Sequence, residues 1–346
     1  MADANDPRTL GQRLRSLIGQ RLAGMLVITA SLAGGWLWMD FQGAVDNPLN
    51  LTAPAVFEIG KGEGLGTIAR KLQAQGILDQ PLWFQALAYT DGAHKRLKFG
   101  EYEIAPGTTP RGLLALLTSG KVRQHAITVV EGWTFADLLA TLAAHPALSH
   151  PVQGKPPQEV MALLDAPGQL PEGRFFPDTY FVTKGTQDLE VLRRAHARMQ
   201  AELEREWRER GRVNLGSPYD ALILASIVEK ETARPEERPE IAGVFLRRLS
   251  IGMRLQTDPT VIYGLGASYN GNIRKDDLRR DTPYNTYTRP GLPPTPIALP
   301  GRASLHAALH PAEGTSLYFV ARGDGSHVFS TTLGEHQRAV DQFQLR

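Results

Sequence analysis

Leu22 to Met39 form an unbroken stretch of 18 uncharged, mostly apolar residues, and no other feature restricts the options of this chain as strongly. As a helix rising ~1.5 Å per residue it spans about 27 Å, enough to cross a thin bilayer. Arg8, Arg13, Arg15 and Arg21 precede it, Asp40 and Asp46 follow it, and no further Lys or Arg occurs before Lys61. The positive-inside rule therefore leaves residues 1–21 in the cytoplasm, carries 22–39 across the membrane and exports the rest. Ser31-Leu32-Ala33 would also pass as the cleavage site of a signal peptide. The run continues past that site to Trp36 and Trp38, an aromatic end that favours a retained anchor.

The 346 residues, 42% of them hydrophobic, suffice for two domains with cores of their own. Lys and Arg total 38 against 36 Asp and Glu, with no basic stripe, so nucleic acid is not an expected partner. With no cysteine, neither a disulfide framework nor a thiolate zinc site is available. No metal or other cofactor is expected. His306 and His310 lie four apart beside Pro311, where a structural role at a helix end fits better than metal ligation.

Residues 40–54 read as a polar linker. Three segments then repeat one pattern, in which a short stretch of period 2 meets a Gly-containing turn and changes to period 3.6. They are Phe57-Glu58-Ile59 before the helix Leu65 to Gln75, Tyr102-Glu103-Ile104 before Arg111 to Thr118, and Ile127 to Val130 before Phe135 to His145. A further helix is expected around Pro81 to Asp91. These read as βα units packing their helices on one side of a short sheet. The first resembles a LysM-type module, and its pattern fits structural packing and glycan binding equally.

Residues 146–172 are a Pro- and Gly-rich connection with one short helix, Gln158 to Leu164. Glu172-Gly173-Arg174-Phe175-Phe176-Pro177-Asp178-Thr179-Tyr180 follows, readable as the aromatic wall of a sugar cleft or as a packed connector. The long charged helix Leu189 to Arg212 reads as a solvated face.

Ser217-Pro218 provides an N-cap and a first-turn Pro for a helix through Leu222, Ile223, Leu224, Ile227 and Val228, apolar nearly all round and therefore buried. It ends in Glu229-Lys230-Glu231-Thr232. Glu229 and Glu231 are about 200° apart around the axis, so one should face a cleft while the other makes a structural ion pair. Glu231 lies in the last turn, where exposed carbonyls disfavour a carboxylate and raise its pKa, as leaving-group protonation requires. Glu229 feels a weaker version of the same push, which leaves both in play. After a helix over Pro235 to Ser250, with Ile241, Val244, Phe245 and Leu249 on its buried stripe, come irregular segments rich in Gln, Asp, Asn and Tyr. Long loops of this composition inside a compact domain are usually functional.

Several of these motifs together resemble the YceG-like family of endolytic murein transglycosylases over essentially the whole chain. They are the N-terminal anchor, Glu172-Gly173 with Pro177-Asp178-Thr179-Tyr180, Glu229-Lys230-Glu231, Arg254-Leu255-Gln256-Thr257-Asp258-Pro259, Tyr284-Asn285-Thr286-Tyr287 and Ala307-Ala308-Leu309-His310-Pro311. Arg247 and Thr295 depart from the family pattern, which usually has Asn and Gly there. The resemblance implies an α+β chain with an inner-membrane anchor, a LysM-like subdomain over 55–125 and a periplasmic catalytic domain over 126–346. It implies peptidoglycan glycan strands as substrate, and a tethered enzyme acting on strands as they emerge at the membrane makes peptidoglycan synthases candidate partners. It assigns the catalytic acid to Glu231; Glu229, Gln256, Asp258, Tyr284, Asn285, Tyr287 and Tyr180, read from the polar and aromatic segments themselves, are the candidates for supporting or substrate-binding roles. Two other classes remain open, a membrane-tethered glycan-binding scaffold without catalysis, and a hydrolase using Asp258 as a second carboxylate.

Overall fold

The structure, a computed structural model, describes residues 7–344, with side chains from residue 18 onward. Arg8, Arg13 and Arg15, on which the expected membrane orientation leans, lie outside the described side chains. The chain divides into two compact units at Arg123–Gln124.

Unit one begins with α1 (Pro7–Asp46), whose residues 18–46 are long and apolar enough to cross a membrane. The segment from Asp40, expected as linker, is instead the last part of this helix. Val45 is fully buried, the Phe41 ring meets Trp83 edge-on at 5.5 Å, Trp83 Nε1 donates to Asp40 (2.8 Å), and Arg111 pairs with Asp46 (2.8 Å). Beyond it come β1 (Ala55–Ile59), α2 (Leu65–Ala74), α3 (Pro81–Thr90), β2 (Gly100–Ile104) and α4 (Pro110–Ser119). β1 and β2 pair antiparallel with Phe57 opposite Tyr102. The alternation read from the sequence puts Phe57, Ile59, Tyr102 and Ile104 inward, onto Ile68, Leu72, Phe84 and Leu87 of the two intervening helices.

Unit two holds the third βα segment, so the three segments do not share one sheet. Its strand β3 (His125–Thr128) leads to α5 (Phe135–Ala144), whose N-terminus is closed by a Thr134/Asp137 capping box. Next are β4 (Leu148–Ser149), α6 (Pro157–Leu163), β5 (Thr179–Val182) and β6 (Thr186–Gln187). β3 pairs antiparallel with β5, and β4 parallel with β6. The helical part is α7 (Asp188–Glu209), α8 (Pro218–Glu231), α9 (Arg238–Ser250), α10 (Asp258–Leu265), α11 (Lys275–Arg279) and α12 (Arg302–Leu309). The hairpin β7 (Tyr318–Ala321) and β8 (His327–Ser330) with α13 (Leu333–Phe343) completes the unit.

Ala221 to Val228 are buried without exception, as an all-round apolar helix demands, and α8 packs against α7, α9, α10 and α12. The charged helix α7 departs from expectation. Glu202 and Glu206 are buried, because Arg198, Arg205 and Arg302 gather on Glu202 while Arg205 and His306 take Glu206. The aromatic loop is a packed connector, with Phe175, Phe176 and Tyr180 each at most 5% exposed. Tyr180 donates to the Phe176 carbonyl (2.7 Å), so its hydroxyl is spent inside the protein and the expectation of substrate contact there is corrected.

Gly173 sits at φ +78°, and a Cβ there would stand 2.5 Å from the Pro296 side chain. Gly173→Ala meets both a left-handed backbone and a clash, and should cost about 2–3 kcal/mol in thermal denaturation of the full chain.

Candidate active site

Glu231 is the last residue of α8, at the point where the helix leaves the core and its side chain opens into a cavity of about 540 Å³. Arg248, Gln256, Asp258, Tyr287 and His327 line the same cavity. Thr257 Oγ1 donates to Glu231 Oε1 and fixes the carboxyl. Burial pushes the Glu231 carboxyl from its ordinary 4.5 up to about 7. The Thr257 hydrogen bond opposes that shift, the Asp258 charge adds to it, and His327 and Arg248 weigh on the lowering side.

Thr257 is held in turn. Its N–H donates to Thr286 Oγ1 (3.0 Å), and Thr260 Oγ1 bonds both the Thr257 carbonyl (2.7 Å) and Thr286 Oγ1 (2.9 Å). The preceding residue, Gln256, is exposed at φ +52°, an uncommon conformation for a residue with a Cβ. The hydrogen bond from its N–H to the Thr286 carbonyl (3.2 Å) spans that strained position, and the Gln256 side chain borders the cavity.

The structure brings Glu231, Gln256, Asp258 and Tyr287 together. Asp258 opens α10 and accepts the Tyr287 hydroxyl (2.6 Å), while burial first and this carboxylate second hold the Tyr287 phenol protonated far above neutrality. Besides Tyr180, three other expected residues do not face this cavity. Glu229 is the structural partner of the pair, with Arg238 at 3.1 Å and the Gly301 N–H at 2.9 Å on its two oxygens. Asn285 is 1% exposed and serves its own loop. Its Nδ2 lies within bonding reach of the carbonyls of Asp277, Leu278 and Arg280, and its Oδ1 accepts the Tyr287 N–H (2.9 Å). It therefore aims Tyr287 and leaves no amide atom for a ligand. Tyr284 faces a neighbouring cavity and bonds Thr295 Oγ1 (2.9 Å), so the departure at Thr295 supplies the partner of that phenol. The other departure, Arg247, donates to the Ser316 and Ala312 carbonyls (2.7 and 3.2 Å).

Sequence reasoning missed Arg248 and His327 as cavity residues and Thr257 as the buried partner of Glu231. Arg248 had a signal, since it stands seven residues after Ile241 on the buried stripe of α9, where a charge needs a reason. It is 6% exposed, donates to the Leu255 and Leu317 carbonyls (both 2.6 Å) and lies over the Tyr318 ring. His327 arrives on β8, and Glu237 accepts both its backbone N–H (3.0 Å) and its Nδ1 contact (2.7 Å). No local pattern announced it. His306 and His310 stack at 4.1 Å with Glu206 beside them, and none of the three borders the Glu231 cavity.

The folded-state pKa of Glu231 lies above its unfolded value, so its contribution to stability is intact below about 4.5 and lost as pH rises through about 7. Glu231→Gln cannot ionise and should gain stability relative to the parent at pH 8, by up to about 3 kcal/mol, with little gain at pH 4. Parallel thermal melts at the two pH values check this.

The sequence pattern of the YceG-like family matches residues 57–342. A Bacillus subtilis (strain 168) protein named endolytic murein transglycosylase is 31% identical over 82% of this chain and 83% of its own length. A protein of that name from Streptococcus pneumoniae serotype 2 is 26% identical over 91% of this chain, which spans 63% of that relative's length. The crystal structure of a yceG-like protein from Listeria monocytogenes superposes with a TM-score of 0.54 at 28% identity, covering 83% of this chain and 99% of that one.

Proposed function

The chain belongs to the YceG-like family, and on that premise we propose that it is an endolytic murein transglycosylase with Glu231 as its single acid and base. The observation that carries the proposal is the Glu231 carboxyl, fixed by Thr257 at the end of a buried helix and protonated up to about pH 7. A protonated carboxyl at that place gives its proton to the glycosidic oxygen between N-acetylmuramic acid and N-acetylglucosamine as the C1–O bond breaks. The resulting carboxylate then takes the proton of the muramyl C6 hydroxyl, whose oxygen closes onto C1. The proton is returned to the enzyme, no water is consumed, and the new end is a 1,6-anhydro sugar. Because the nucleophile belongs to the substrate, one carboxyl suffices where ordinary glycosidases need two.

Positive charge develops at C1 during this step. Asp258 places a carboxylate beside Glu231, aimed by the Tyr287 hydroxyl. Its charge has a second effect, since it helps hold Glu231 protonated before the step.

The order β1-α2-α3-β2 with its antiparallel strand pair supports reading 55–125 as a LysM-like subdomain and 126–346 as the catalytic domain. The apolar helix supports a single-pass inner-membrane anchor with the body in the periplasm. In that setting the enzyme would act on strands emerging from peptidoglycan synthases and release them.

Digestion of purified sacculi by the full chain should yield anhydromuramyl ends, lighter by one water (about 18 Da) than hydrolytic ends, and Glu231→Gln should lower their formation by about 10²–10⁴-fold. Reducing ends would sink the transglycosylase reading in favour of hydrolysis. Activity should fall as pH rises through about 7, where Glu231 loses its proton. Thr257→Val removes a bond that favours the carboxylate, so the falling limb should move to higher pH. A kcat/KM profile between pH 5 and 9 reads both.

A further inference from the structure

Glu172 is a buried carboxyl that the proposed chemistry leaves unused. It is 7% exposed, accepts the Phe135 N–H on Oε1 and the Tyr263 hydroxyl on Oε2 (3.0 Å each), and burial pushes it up to about 7. It borders a cavity of about 820 Å³, separate from the Glu231 cavity and within the size range of small-ligand sites.

Three tyrosines line this cavity. Tyr263 and Tyr284 meet edge-to-face at 4.9 Å, and their hydroxyls are anchored on Glu172 and Thr295. Tyr269 is half-buried, and its hydroxyl has no hydrogen-bond partner among the described residues. Lys230, exposed, holds the Gly132 carbonyl (3.2 Å) with one of its three N–H groups. The two cavities share elements. Lys230 and Glu231 are consecutive on the last turn of α8, about 100° apart, and face one cavity each. Asp258 begins α10 beside the Glu231 cavity, while Pro259, Ile262 and Tyr263 of the same helix face the second.

We propose that the Tyr263–Tyr269–Tyr284 cavity is a second glycan subsite, holding an N-acetylhexosamine unit of the strand whose scissile bond lies at Glu231. The inference rests on the transglycosylase reading and names a part of the substrate that the reading does not place. Ring faces with anchored hydroxyls suit a pyranose, which presents apolar C–H faces and a rim of hydroxyls. A peptide stem, rich in carboxylates, would find Lys230 as the one basic side chain on this wall. The two acids there are already engaged, Asp137 by the Thr134 N–H (2.9 Å) and Glu172 by its two donors. Cleavage inside a strand gains from such a site, since binding energy from sugar units remote from the bond can be used at the bond.

The test uses the full chain carrying Glu231→Gln, which binds without cutting, titrated calorimetrically with peptide-free glycan oligosaccharides of two and six sugars and with free stem peptide. Adding Tyr269→Ala, which removes a ring from the cavity wall and none from the core, should weaken six-sugar binding by about tenfold and two-sugar binding far less. Tyr263→Phe, which keeps the ring and releases it from Glu172, should weaken six-sugar binding by a smaller factor. Unchanged six-sugar affinity in both variants overturns the subsite, as does stem peptide that competes with the hexasaccharide and loses affinity in Tyr269→Ala. A parent chain that yields no anhydro ends, yet loses six-sugar affinity in Tyr269→Ala, would sink the chemical reading and leave the subsite standing.

Discussion

The complete burial of α8 is the constraint on which the rest of the catalytic unit depends. Eight consecutive residues from Ala221 to Val228 have no exposed face, so beyond the first turn the charged side chains are confined to the last one. There each residue fastens a different segment. Glu229 takes the Gly301 N–H and Arg238, Lys230 takes the Gly132 carbonyl, and Glu231 takes Thr257. Deeper in the helix, Ser226 Oγ accepts the Ile297 N–H (3.0 Å) and ties in the Pro-rich loop. A helix fixed on every side gives its last side chain a fixed direction, which is what a lone acid needs if it is to serve two successive proton transfers.

The same burial decides which carboxyl is which. Glu229 and Glu231 differ by two positions in sequence and by about 200° in direction. Glu229 meets a guanidinium on one oxygen and a backbone N–H on the other, which leaves no oxygen for chemistry. Glu231 meets one hydroxyl, an aspartate and a pocket wall, and keeps its proton. Loss of that proton at high pH costs folding energy, the tension expected where a site holds a group away from its preferred state.

The parts of the site legible in sequence were those carried by one element's own pattern. Ser217-Pro218 and the continuous apolar run defined α8, and two-residue spacing separated the roles of its glutamates. Side chains on irregular segments were not legible, because residue type does not give direction. Asn285 and Tyr287 look equivalent in Tyr284-Asn285-Thr286-Tyr287, yet the amide turns inward to carbonyls of 277–280 while the phenol turns out to Asp258. Tyr180 looked like a sugar platform, but β5 places it on the buried face of a strand whose neighbours Thr179 and Phe181 point out. His327 comes from a hairpin nearly a hundred residues beyond Glu231, and only the packing of that hairpin makes them neighbours. Arg248 was legible in principle as a charge where the helical pattern called for burial, whereas Glu172, in an irregular connection, carried no such signal, and an exception of the first kind deserves a functional or structural reason before a polar loop does.

Unit one carries a parallel lesson about continuity. The acidic residues Asp40 and Asp46 read as the polar end of an apolar segment, and so as the start of a linker. Both are engaged instead, Asp40 by the Trp83 indole and Asp46 by Arg111, while Phe41 and Val45 between them face the core. The helix therefore passes into the folded unit without a flexible joint, and the Leu49 N–H continues the attachment at the Thr108 carbonyl (2.8 Å). In the proposed topology the height of unit one above the bilayer is then set by helix geometry at ~1.5 Å per residue, where a disordered linker would have left it free.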